Sequence, residues 1–201
     1  MDLATFALTY DYRCPFARNA HEHVVAALRA GVPWTVRFAP FSLSQAHVED
    51  GGTPVWDDPA HAPDLLAVSA SLVVREERPE RFLDVHAGLF AARHDEGQDL
   101  RDPTTVLDVL AASGVDGDAV LAAVADGWPV DLFRKEHEAA VADHRVFGVP
   151  TFVVGDQAAF VRLMTRPAGD ADAARATIER VVSLVGSVPE LNELKHTTVP
   201  R

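Results

Sequence analysis

Thr9-Tyr10-Asp11-Tyr12-Arg13-Cys14-Pro15-Phe16-Ala17 is the stretch on which the fold turns. Before it, Leu3-Ala4-Thr5-Phe6-Ala7-Leu8 leads into Tyr10 as a short, apolar, β-prone run. Pro15 forbids further ladder pairing, so a buried strand ends ahead of it. After Pro15 the period changes. Phe16, Ala20, Val24 and Leu28 recur every four residues, while Arg18, Asn19, His21, Glu22 and Arg29 occupy the other face, which predicts an amphipathic helix. Proline in its first turn sacrifices no hydrogen bond, and Gly31 suits a left-handed stop. Trp34-Thr35-Val36-Arg37-Phe38-Ala39 then alternates up to Pro40 and reads as a second strand. Together these make a compact βαβ unit whose crossover is expected to be right-handed.

Outward from that unit, residues 42–62 are polar and rich in breakers. Helical patterns follow, anchored by Leu65, Leu66, Ser69, Leu72 and Val73, then by Phe82, Val85, Leu89 and Phe90. A third begins at Asp102-Pro103 and stops at Gly114, a shorter fourth covers 118–125, and a fifth runs from Pro129 towards Phe147. Strand character returns in Thr151-Phe152-Val153-Val154 and Ala158-Ala159-Phe160-Val161-Arg162-Leu163, joined by Gly155-Asp156 as a hairpin turn. A last helix is expected from Asp170 to Val185, with Ala174, Ile178, Val181 and Val182 on its apolar face and Gly186 at its end. The chain thus divides into a β-containing part, 1–56 with 147–201, and a helical part, 57–146.

The chain has 201 residues, a formal charge of −12 and one cysteine. A chain of this length buries roughly 70% of its unfolded surface and needs no disulfide to hold it. Its acidity opposes binding to nucleic acid, which demands clustered Lys and Arg. Nothing approaches the ~20 apolar residues of a membrane span, and Met1–Cys14 has neither a basic start nor a long apolar core, so the expected location is the cytoplasm, with no membrane partner.

Cys14 stands where a strand becomes a helix, so its sulfur is expected to face unpaired amides and the positive end of the helix dipole. Such a setting can lower a thiol pKa from ~8.5 into the range of roughly 3.5–7.5, and Arg13 next door can add to the effect. By residue type alone, a single cysteine reads as a small inert core residue; position argues for reactivity. The second feature is Phe147-Gly148-Val149-Pro150-Thr151-Phe152. A proline that opens a strand, approached by an extended valine, is a candidate for a cis peptide bond, although a plain trans proline is the simpler expectation. In the cis form, Val149 would present strand-like hydrogen-bonding groups to an extended thiol ligand.

The order β, Cys-Pro-x-x, α, β, helices, Val-Pro-Thr, β, β, α is that of a thioredoxin fold. The sequence resembles the DsbA-like branch of that superfamily, which includes kappa-class glutathione transferases and 2-hydroxychromene-2-carboxylate isomerases. The resemblance rests on Cys14-Pro15-Phe16-Ala17 and Gly148-Val149-Pro150-Thr151-Phe152. It implies an α/β, thioredoxin-like domain carrying an all-helical insertion. It also implies an enzyme in which Cys14 and Pro150 are catalytic, and Arg13, Pro15, Phe16, Val149 and Thr151 hold substrate or thiol. The disulfide oxidases of the family carry Cys-x-x-Cys, and here Ala17 takes the fourth place. Without a resolving thiol, release must come from outside. The implied activity is therefore a monothiol thiol–disulfide oxidoreductase. No cofactor is expected to be tightly bound. Glutathione or mycothiol would be co-substrate, and a small molecule or a protein thiol the substrate. Isomerase and transferase relatives usually show serine where Cys14 stands, so a thiol-cofactor-dependent isomerase or transferase is the alternative, and a non-catalytic binding protein the third.

Other residues offer less. His21-Glu22-His23 has no metal-ligand spacing and is expected to be a solvated helix face. His137 and His144 are seven apart and, with Asp143, can line the cleft below Cys14. No metal site, phosphate loop or dinucleotide fingerprint is expected.

Overall fold

The computed structural model describes residues 4–199. Strand β1, Thr5–Tyr10, runs into helix α1, Pro15–Arg29, and returns as β2, Thr35–Pro40. A short helix α2, Leu43–Ala46, interrupts the polar connection. Then come α3 (Ala62–Glu77), α4 (Pro79–His94), α5 (Pro103–Ala112), α6 (Gly117–Ala125) and α7 (Trp128–His144). The chain closes with β3 (Thr151–Val154), β4 (Gln157–Phe160) and α8 (Ala171–Ser187).

The four strands form one sheet in the order β2-β1-β3-β4. β1 runs parallel to β2, with Leu8 beside Phe38, and antiparallel to β3, with Leu8 beside Phe152. Pro40 pairs with Tyr10 on an edge strand, where its missing amide hydrogen leaves no ladder bond broken. Gly31, with φ at +86°, stops α1 as expected, and its amide closes back onto the Leu28 carbonyl.

Helix α1 lies against β1, with α8 and α4 also packed on it. Its fully buried residues are Ala17, Ala20, His21, Val24 and Ala27, so the expected stripe is displaced, and Phe16 and Leu28 are only partly buried. The reason is that α1 is covered on more than one side. β4 is shorter than the sequence suggests because the chain leaves the sheet after Val161 donates to the Pro150 carbonyl. It then crosses α1, where the Leu163 carbonyl accepts from Asn19 and the Thr165 carbonyl accepts from His23. Helix α8 passes through Gly186, which is buried within the last turn instead of ending it. One buried apolar cluster runs from the sheet through the helical insertion, from Leu8 and Phe152 to Leu72, Leu89 and Leu110.

Candidate active site

Cys14 is the N-cap of α1, with extended φ and ψ of −91° and 116°. Its amide donates to the Asp11 carbonyl at 3.0 Å, and its Sγ accepts the Ala17 amide at 3.4 Å. The cap places sulfur over the open end of the helix because the first-turn amides have no helical partners. Facing it, the Val149–Pro150 peptide bond is cis, and the thiol donates to the Val149 carbonyl at 3.4 Å. Two segments 135 residues apart thus meet at one sulfur. The Val149 amide has no hydrogen-bond acceptor among the described residues.

The expected depression of the thiol pKa is overturned. Burial pushes the Cys14 thiol above its usual value, outweighing the Ala17 and Phe16 amides that favour the thiolate. Asp11 pushes in the same direction as burial and Arg162 opposes it. Arg13 does not act on the sulfur as expected. Its guanidinium grips Asp11 through Nη2 at 2.7 Å and Nε at 3.1 Å, and donates to Ser44 Oγ at 2.7 Å. Asp11 also accepts the Leu43 amide at 3.0 Å, so Arg13 and Asp11 clip the Cys14 turn to α2. Arg162 is the basic residue that sequence reasoning missed. It lies over the half-buried Phe16 ring at 5.1 Å, and its only signal in the sequence is a lone charge within the apolar run read as the second hairpin strand.

Pro15 is exposed beside the sulfur and Phe16 half-buried. Thr151 is buried with both hydrogens engaged internally: its amide donates to Thr9 Oγ1 and its hydroxyl to the Gly148 carbonyl, each at 2.8 Å. It braces the Val149–Pro150 loop, and neither donor is free for a ligand.

His21-Glu22-His23 is not a solvated face. His21 is fully buried and His23 nearly so, because the insertion covers one side of α1 and the 161–170 segment another. His21 Nε2 donates to the Thr9 carbonyl at 3.1 Å. That fixes its tautomer, so Nδ1 accepts from His86 Nε2 at 2.9 Å, and His86 Nδ1 accepts the Tyr12 hydroxyl at 2.8 Å. Burial holds His21 down to about 3 and pushes His86 well below the usual histidine range. His137 accepts the Ser42 amide at 3.2 Å and packs on Phe41 and Trp56, and burial lowers it to about 4. No hydrogen bond or ion pair joins His137, His144 or Asp143 to Cys14 among the described residues. The described residues contain no group of three or more His, Cys, Asp or Glu able to hold a metal ion, and no helix among them is long and apolar enough to cross a membrane.

Comparison with known proteins agrees with this geometry. The family model of the DSBA-like thioredoxin domain matches residues 7–169. No curated protein matches the chain. Among solved structures, a 2-hydroxychromene-2-carboxylate isomerase superposes with a TM-score of 0.61 at 15% identity, covering 89% of this chain and 96% of that one. The cytosolic disulfide reductase DsbM from Pseudomonas aeruginosa, solved with GSH, gives 0.59 at 16% identity over 90% of this chain and 100% of that one. Pseudomonas aeruginosa DsbA gives 0.55 at 23% identity over 88% of this chain and 83% of that one. These likenesses speak for the fold, and the family match spans the sheet, the insertion and both halves of the site: the chain belongs to the DSBA-like thioredoxin domain family.

Proposed function

We propose that this protein is a cytoplasmic thiol–disulfide oxidoreductase working by a monothiol mechanism. The observation that carries the reading is the position of the Cys14 sulfur, set between the Ala17 amide and the Val149 carbonyl, with buried Ala17 where a second cysteine would resolve the intermediate. The Cys14 thiolate attacks a disulfide, forming a mixed disulfide and releasing one partner as its thiolate. A second low-molecular-weight thiolate, glutathione or mycothiol, then attacks that mixed disulfide. The new disulfide leaves, and Cys14 returns as thiolate. Each turn consumes one external thiolate and passes the disulfide on to it as a mixed disulfide; attack of a second external thiolate on that mixed disulfide completes the reduction, with the two external thiols oxidised to one disulfide.

Catalysis on this reading belongs to Cys14 and Pro150. Val149 holds the extended ligand through its unpaired amide and through the carbonyl that the resting thiol occupies. Pro15 and Phe16 line the approach, and the insertion caps it against small molecules or protein thiols of the wrong shape. The Ala17 and Phe16 amides and Arg162 favour the thiolate as it forms.

A second reading, a glutathione- or mycothiol-dependent isomerase or transferase, is favoured by the raised thiol pKa. A neutral Cys14 can donate its hydrogen to the thiolate of a bound cofactor without entering a covalent bond. Replacement Cys14→Ser separates the two. The oxidoreductase loses nearly all disulfide exchange and the mass of a glutathione or mycothiol adduct, whereas the isomerase keeps most of its turnover. Wild-type protein that forms no adduct with either disulfide, and catalyses neither reaction, would overturn both and leave a binding protein.

A further inference from the structure

We propose that a cavity in the helical insertion binds a small aromatic amine carrying a second polar group at its far end. The cavity holds about 400 Å³ and is bounded by residues 55–59, by α3 and by the junction of α6 with α7. That volume lies within the usual range for small-molecule sites. None of its lining residues belongs to the Cys14 turn or to the Val149–Pro150 loop, so this site does not rest on the redox reading.

Its walls are apolar: Val55, Leu65, Leu66, Val124 and Val130, with half-buried Trp56 beside them. The exception is Ser69. It lines the cavity from α3, is fully buried, and its hydroxyl has no hydrogen-bond partner among the described residues. Ser71, two residues on, shows what a satisfied hydroxyl in this helix looks like, since it donates to the Val68 carbonyl at 2.8 Å and meets the Tyr10 hydroxyl at 3.1 Å. A buried hydroxyl left unpaired carries its full desolvation cost, so alanine would be the better structural choice at Ser69. A ligand hydroxyl seated in the cavity supplies the missing partner.

The outer lining is acidic. Asp57, Asp58 and Asp131 all border the cavity, and no basic residue does. Asp57 meets Arg134 at 3.4 Å, and Asp58 accepts the Ala60 amide at 2.9 Å. Asp131 is exposed and forms no ion pair among the described residues. A cation entering here gains attraction from the carboxylates. Deep hydroxyl, apolar middle and anionic rim together select a phenol- or alcohol-bearing arylalkylamine.

Tyramine tests this with the full chain in titration calorimetry, beside 2-phenylethylamine, which lacks the hydroxyl, and tyrosol, which lacks the amine. Tyramine is expected to bind at least fivefold more tightly than either analogue. Ser69→Ala is expected to bring the tyramine to phenylethylamine ratio below twofold while sparing the tyrosol ratio, and Asp131→Asn to do the converse. Ser69→Ala is also expected to melt at or above the wild-type temperature. Equal affinity for the three compounds, no saturable tyramine binding at millimolar concentration, variants that weaken all three alike, or a Ser69→Ala melting point lowered by several degrees would each overturn the assignment.

Discussion

The Cys14 sulfur feels two opposed influences, and their balance decides when it reacts. Helix amides favour the thiolate, burial favours the thiol, and burial prevails. Alkylation by iodoacetamide should therefore be slower at pH 7 than for a free cysteine and should still be climbing as pH rises above the ~8.5 of a free thiol. An alkylation rate already at its plateau at pH 7 would contradict this. Arg162→Met should slow the reaction further at any pH near neutrality, because the cation that opposes burial is gone, whereas Arg13→Met should alter the rate little by charge, its guanidinium being held by Asp11. The linkage to stability follows the same direction. Folding favours the protonated thiol, so this contribution is intact below the unfolded pKa and disappears as pH rises through the folded one. From sequence, the helix-start position of Cys14 was legible, but its pKa was not. A dipole argument sees one helix, while desolvation depends on what the other chain segments bring over it.

At the scale of elements, helix α1 makes the same point. Its period announced one buried face, and the structure buries more, because α4 and the 161–170 segment settle on residues that look solvent-bound in isolation. The βαβ unit, the hairpin and each insertion helix were legible because local period and breakers mark them. The buried histidines, the early end of β4 and the passage of α8 through Gly186 were not, since each is fixed by contacts distant in sequence. Those histidines make an acid-sensitive joint. His21, His86 and His137 fold neutral with depressed pKa values, so stability is whole above about pH 6.5, the unfolded histidine value, and declines as protons bind the unfolded chain below it. Each fully buried histidine contributes up to about 1.4 kcal/mol per pH unit between its unfolded and folded values. The melting temperature should fall steadily from pH 6.5 to pH 4, and a flat profile would count against neutral burial. His86→Leu should lessen that slope while costing about 1–3 kcal/mol at pH 7, by leaving the Tyr12 hydroxyl and His21 Nδ1 unpaired.

Across the whole molecule, the helical insertion is joined to the sheet by more than apolar contact. Arg75 of α3 donates to the Phe38 carbonyl of β2 at 2.9 Å and meets Glu136 of α7 at 2.5 Å, while Arg37 of β2 reaches the same carboxylate at 3.5 Å. Glu136→Ala should destabilise the fold by about 1–3 kcal/mol, since both partners are largely shielded and Arg75 would lose its counterion. With one core running through both parts, urea unfolding followed by circular dichroism and by tryptophan fluorescence should give coincident transitions. Two separated midpoints would show that the insertion melts by itself. The hydrogen-bond row from Tyr12 through His86 and His21 to the Thr9 carbonyl can run in one direction only, because a carbonyl cannot donate. Two imidazole protons are thereby confined at Nε2 in the dry seam between insertion and sheet. Sheltered from solvent exchange, they should give sharp downfield proton resonances whose broadening registers any parting of that seam, well before the chain unfolds.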